Sequence, residues 1–225
     1  MNEQNSIPGL DRRTIIVISI TSVVLVAWSW WSSLMESGPI MASIVTYALY
    51  ILYWGYGVVF KNPLVLRLLI IGTIAGILEL FADHYLVETI GSLVYPDTEL
   101  MIWSSPAYMP FAWANVLLQL SFVGMLLTSR FGLLVASILL CVAGGMYIPM
   151  YEHLAKGAGW WWYNHNTPML FNAPVYVIIS EALISLSLPG LIFFSEHNKL
   201  GKSVSLGILE GVWIFISAWL AFHLV

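Results

Sequence analysis

Long apolar runs alternate with short polar interruptions along this chain, and the runs set its plan. Seven of them begin near Thr14, Ile40, Leu64, Met109, Phe131, Phe171 and Ser203. Each is long enough, coiled as a helix, to cross a hydrocarbon core of ~30 Å. The pattern predicts an all-α polytopic membrane protein: a single bundle of seven transmembrane helices over 14–225, preceded by a polar segment over 1–13. The first run carries Trp28, Trp30 and Trp31 near its far end and lacks a small-residue cleavage site, so it is expected to stay as a helix rather than leave as a signal peptide. Pro63 suits a first helical turn, and Gly72 with Gly76 offers a small face for close packing of the third helix. In the second helix Tyr47, Tyr50, Tyr53 and Tyr56 form a stripe expected to pack between neighbours with its hydroxyls locally bonded.

If the runs alternate in direction, Arg12, Arg13, Lys61, Arg67, Arg130, Lys199 and Lys202 fall on one side and only Lys156 on the other. Cytoplasmic loops collect Lys and Arg, which predicts a cytoplasmic N-terminus and an outer C-terminus, in a cell inner membrane or the endoplasmic reticulum membrane. Composition agrees with the pattern. Hydrophobic residues make up 60% and charged residues 9% of the chain, whereas soluble domains carry about 25% charged residues. The net charge of -4 and the absence of a basic cluster argue against a nucleic-acid partner. The single Cys141 has no partner for an intrachain disulfide.

Against this background the acids inside the runs stand out. Glu79 and Asp83 are one helical turn apart, so both leave the same face of the third helix. An ionisable group at membrane depth costs roughly 2.5 to 3.5 kcal/mol on insertion scales, which makes each a functional-site candidate. Glu152 closes the fifth run, Glu181 lies within the sixth, and Glu210 within the seventh. Two stretches also echo one another as a helix-pair repeat: Glu79 matches Glu152, Tyr95 matches Tyr163, Pro106–Tyr108 matches Pro174–Tyr176, and Trp113 falls where Glu181 is. Each half has an aromatic-rich loop, 90–106 and 157–168, of the kind that forms lids or binding loops.

With the helices alternating, these acids and loops gather in the outer half of the bundle. The expected site has Glu79, Asp83, Glu152 and Glu181 as catalytic acids. Its hydrophobic walls come from Tyr95, Tyr108, Trp113, Trp160, Trp161, Trp162, Tyr163 and Tyr176. Protonating an alkene or epoxide needs a carboxylic acid kept neutral by an apolar site. Aromatic faces then stabilise the cation without trapping it, and a second carboxylate or a water completes the reaction. A small seven-span chain with isolated acids in its helices resembles the membrane-integral terpene cyclases of meroterpenoid pathways. Its repeated acid, Tyr and Pro pattern is similar to that of carotenoid hydratases and small lycopene cyclases. The resemblance implies an isoprenoid-like lipid substrate and no cofactor, with Glu79 and Glu181 in settings comparable to the cyclases' acids.

Two other classes compete. Glu79, Asp83, His84, Glu88, Glu152 and His153 are metal-ligand types and would suit a metal-dependent lipid-modifying enzyme. Against a metal, no HxxxH box occurs, and Asp83 and His84 point about a hundred degrees apart on a helix. A transporter or receptor for a small hydrophobic ligand is the second, since repeats and mid-membrane acids also mark transporters. The final run has no lysine for a retinal Schiff base.

Overall fold

The structure is a computed structural model, and it describes residues 9–195 and 200–225. Of the basic residues used above to orient the chain, Lys199 lies outside the described residues, as does most of the 1–13 segment. Among the described residues seven α-helices form one bundle: α1 (Arg12–Leu34), α2 (Ile40–Val59), α3 (Pro63–His84), α4 (Met109–Phe131), α5 (Leu133–Ala158), α6 (Val175–Ser195) and α7 (Leu200–Leu224). Six spans are long and apolar enough to cross a membrane, α3 being extended to Thr89 by a π-helical turn over Tyr85–Thr89. The apolar part of α6, Val175–Leu191, is shorter.

Local chemistry explains where the helices begin. Asp11 caps α1, its carboxylate accepting the Thr14 N–H at 2.7 Å. These hydrogen bonds, backbone first, hold the Asp11 carboxyl below its ordinary range. Asn62 caps α3 in the same way while Pro63 occupies the first turn, and the Asn62 amide also donates to the Gly9 carbonyl and the Thr14 hydroxyl. One side chain thus joins the starts of α1 and α3. The tyrosine stripe of α2 behaves as its spacing suggests, with Tyr50 bonded to Thr73, Tyr53 to Thr21 and Gln119, and Tyr56 to Thr14.

The sixth helix begins later than the apolar run predicts. Phe171 has a positive φ of 56° and turns the chain back, so 169–174 form a hairpin and α6 starts only at Val175. Small two-residue strands likewise punctuate the otherwise helical fold: β1 (Leu93–Val94), β2 (Met101–Ile102), β3 (Ser105–Pro106), β4 (Trp162–Tyr163), β5 (Met169–Leu170) and β6 (Ala173–Pro174). β2 pairs with β3 and β5 with β6 as hairpins, each just ahead of a helix. β1 pairs with β4, so the two long loops are stitched to each other, Leu93 opposite Tyr163 and Val94 opposite Trp162.

The bundle is arranged around α3, which packs against α4 on one side and α7 on another. Gly76 faces the α4 backbone so closely that a Cβ there would lie 2.2 Å from the Pro110 carbonyl oxygen. On the α7 side, Gly211 lets the backbone approach Leu78 in the same manner. Because backbone rather than a flexible side chain blocks the space, Gly76→Val should destabilise the bundle by at least about 1–3 kcal/mol. Thermal unfolding in detergent checks this, with Ile77→Val, whose side chain is exposed, expected to leave the midpoint unchanged.

Candidate functional site

Glu79 and Asp83, on successive turns of α3, are both buried and lie close to each other. An ionised carboxylate only accepts, so the two groups can bond each other only with a proton shared between them. The Tyr95 hydroxyl donates to Asp83 Oδ2 at 2.6 Å, and the Trp113 indole lies beside Glu79. Glu79 Oε2 is buried without a hydrogen-bond partner. Burial, reinforced by the charges of Asp83 and Glu79, pushes the Tyr95 phenol well above its ordinary value. It therefore remains a donor at any working pH.

The acids of the second half face this pair. Glu152, near the end of α5, is buried and accepts the Trp161 indole N–H at 2.7 Å. Glu181, half-buried on α6, lies within electrostatic reach of both Glu79 and Glu152, and Glu152 within reach of Asp83. Tyr163 is buried nearby, with burial and then the Glu152 charge raising its phenol well above the usual range. Equivalent positions of the two half-chains thus meet: 79 contacts 113, and 152 looks toward 181.

The other candidates do not all join this group. Trp160 and Tyr108 are fully buried in a cluster with Ala42, Met109 and Ala155, and they line a small cavity between α1, α2, α4 and α5. Asn115 Oδ1, the Tyr108 hydroxyl and the Trp160 indole N–H of that cavity are buried without partners. Its polar lining suits one or two ordered waters. Tyr176 bonds the Ser92 hydroxyl at 2.5 Å, packs edge-on against Phe222 and shares a buried cluster with Tyr163. Trp162 is half-buried on β4 opposite Val94. The three tryptophans do not all serve one place: Trp160 and Trp161 both line that cavity, Trp161 also bonds Glu152, and Trp162 serves the loop pairing.

Two side chains that were not among the sequence candidates belong here. Tyr147 and Tyr151 stack at 5.4 Å on α5, and Tyr151 also packs against Trp161 at 5.8 Å. Their one-turn spacing immediately before Glu152 was the available sign. His84 and Glu88 are bridged through Ser104, whose hydroxyl meets His84 Nδ1 at 2.8 Å and donates to Glu88 at 3.1 Å. Among the described residues no three His, Cys, Asp or Glu side chains gather closely enough to hold a metal ion.

Helices of this length and apolarity, enclosing carboxyl groups and closed over by paired loops, define a multi-pass helical membrane protein with an internal acid cluster. Residues 80–225 match the family described as Domain of unknown function (DUF6989), and the chain belongs to that family. No curated protein and no solved structure matches it. The matched region holds Asp83, Glu152, Glu181 and both loops, and it starts one residue after Glu79.

The Tyr95–Asp83 bond is the most exposed to test by deletion. Tyr95→Phe removes the phenolic donor and leaves Asp83 Oδ2 buried without it, which should cost about 1–3 kcal/mol. Thermal unfolding in detergent measures the loss. Tyr85→Phe, on the same side of the bundle with no hydroxyl bond among the described contacts, should cost much less.

Proposed function

We propose that this protein is a membrane-integral enzyme that cyclises, isomerises or hydrates a polyprenyl-type lipid by proton transfer from a buried carboxyl group. The observation that carries the reading is the buried Glu79–Asp83 pair on one face of α3, with Tyr95 bonded to Asp83, Trp113 beside Glu79, and Glu152 and Glu181 within electrostatic reach. In the proposed reaction the shared proton passes to an alkene carbon or epoxide oxygen of the substrate, leaving a carboxylate and a cation. The faces of Trp113, Trp161, Tyr147 and Tyr151 stabilise that cation. Return of a proton to Glu152 or Glu181 gives a new alkene, with a new carbon–carbon bond if the cation has cyclised. Addition of water and loss of its proton gives an alcohol. None of these steps calls for a cofactor.

The same reading has all seven helices crossing the membrane with the N-terminus in the cytoplasm, in a cell inner membrane or the endoplasmic reticulum membrane. The acid cluster and both loops then belong to the outer side. The distribution of Arg12, Arg13, Lys61, Arg130 and Lys202 against Lys156 supports this orientation. In a Cys141→Ser background, a cysteine at His165 should react with an impermeant reagent added outside intact cells. Reaction only after the cytoplasmic face is opened would reverse the orientation.

Mass spectrometry of isoprenoid lipids from cells with and without the protein tests the chemistry. Asp83→Asn and Glu79→Gln should each abolish product formation while helix content is retained, because an amide keeps hydrogen bonds but supplies no proton. A transporter or receptor would instead show changed ligand affinity and no product in any variant. Unchanged lipids together with full tolerance of both substitutions would end the enzyme reading.

A further inference from the structure

The two hairpins carry a feature that folding alone does not require. Each is a two-residue turn, Trp103–Ser104 between β2 and β3 and Phe171–Asn172 between β5 and β6. The first turn residue has positive φ, 60° for Trp103 and 56° for Phe171, and the second does not. Turns of this kind take glycine at that position, because a Cβ crowds the backbone there. The other non-glycine residues at positive φ among the described ones, Glu36 and Lys61, follow helix ends, where the conformation is common. Bulky aromatics at the strained position of both hairpins are a different case. Backbone strain of this sort persists where something outside the local fold rewards it.

Both hairpin tips leave much of an aromatic ring uncovered. Phe171 is 78% exposed and Trp103 55% exposed, and Leu100, Ile102 and Leu170 beside them are exposed as well. Each tip also continues a strip of exposed apolar side chains on a membrane-crossing helix. On α3 the strip is Ile77 and Phe81, and the Phe81 ring meets Trp103 edge-on at 5.2 Å. On α5 it is Val142, Met146 and Met150, ending at His153.

The hairpins are fixed at matching heights. Trp103 stacks on the His84 ring at 4.1 Å while Ser104 bonds His84 Nδ1, and Asn172, the residue equivalent to Ser104, donates to His153 Nδ1 at 2.8 Å. Lys156 adds a second bond to Asn172. Counting along the helices, His84 lies ~32 Å from Pro63 and His153 ~30 Å from Leu133, about the thickness of a hydrocarbon core. Both helices run on beyond these histidines, to Thr89 and Ala158. The hairpins therefore fold back alongside their helices to the level where acyl chains give way to headgroups.

We propose that the Trp103 and Phe171 hairpins are a duplicated pair of membrane-seated posts, their aromatic tips inserted in the bilayer at the headgroup–acyl boundary. The occupant of this surface is the surrounding lipid: aromatic rings favour that zone, and the tips lie beside the exposed apolar strips of α3 and α5, Trp103 against Phe81 and Phe171 next to the Asn172 that bonds His153. Seated there, the posts fix the starts of α4 and α6, which follow each hairpin within a few residues and carry Trp113 and Glu181. This assignment is independent of the chemistry at the acid cluster.

The test uses the full chain in phosphatidylcholine vesicles, in a Cys141→Ser background. Nitroxide labels at Trp103→Cys and Phe171→Cys are compared with labels at Asp97→Cys and His165→Cys, which lie in exposed polar loop segments on the same side. Collision with a water-soluble nickel chelate should be at least several-fold weaker at 103 and 171 than at 97 and 165, and collision with oxygen stronger. Nickel access at either tip equal to that at 97 and 165 would overturn the proposal. So would shielding accompanied by dipolar broadening, the mark of two copies packed tip to tip. Phe171→Gly gives a second reading that needs no label. Because glycine relieves the turn, its thermal midpoint in detergent should match or exceed that of the parent chain. A clear loss of stability would mean that Phe171 serves the fold, and would overturn the proposal for that hairpin.

Discussion

Carboxyl groups held away from water are the constraint on which this structure turns. Within an apolar bundle Asp83 and Glu152 each accept a hydrogen bond from a loop side chain, and Glu79 has Asp83 and Trp113 beside it, so the groups that surround the acids come from different parts of the chain. Tyr95 reaches Asp83 from the first long loop, Trp161 reaches Glu152 from the second, and Trp113 reaches Glu79 from α4. A loop that strayed would leave a carboxyl group unbonded. The short pairing of β1 with β4 prevents this by tying the loops to each other, so the two acid sites are closed by one shared cover.

That cover follows a helix–loop–hairpin–helix order that occurs twice along the chain, and this order clarifies the site's asymmetry. Each half contributes a helix ending near an acid, an extended segment, a hairpin and a second helix. The equivalent strands β1 and β4 pair with one another, which places the two halves face to face. At the position seven residues beyond the hairpin proline, one half has Trp113 and the other Glu181. Glu79 consequently has its indole neighbour on α4, whereas Glu152 draws its indole from its own loop, and Glu181 lies within reach of both acids. Two similar frameworks thus give their acids different surroundings.

Much of the helical plan was legible because it depends on properties local to each segment. Apolar runs, Asn62-Pro63 at a helix start and the Gly72 and Gly76 face all act over a few residues, and the structure follows them closely. The α3 carboxylate pair was equally readable from its spacing. What could not be read is non-local or runs against propensity. Nothing in the local pattern announces that residues 93–94 pair with 162–163. An aromatic at positive φ is a choice that sequence preference argues against, so Phe171 reads as the beginning of a helix when it is the tip of a hairpin. The tryptophan run was a compositional sign without direction. Only the folded backbone decides that Trp161 meets both Glu152 and the small cavity it shares with Trp160.

The extent of the family match has a structural implication of its own. Residues 80–225 include both loops, both hairpins and α4 to α7, yet they leave out almost all of α3. In the folded chain α7 closes against the omitted part of α3, with Gly207 against Ile71 and Gly211 against Leu78, and α4 closes against it at Gly72 and Gly76. Without those turns of α3, the glycine faces of α7 and the backbone of α4 at Pro110 and Ala114 would lose the surface they fit, and Asp83 would lose Glu79. The matched region therefore delimits where the sequence pattern is shared rather than a unit that folds alone. The helix that precedes it is the one that both sides of the bundle are built to grip.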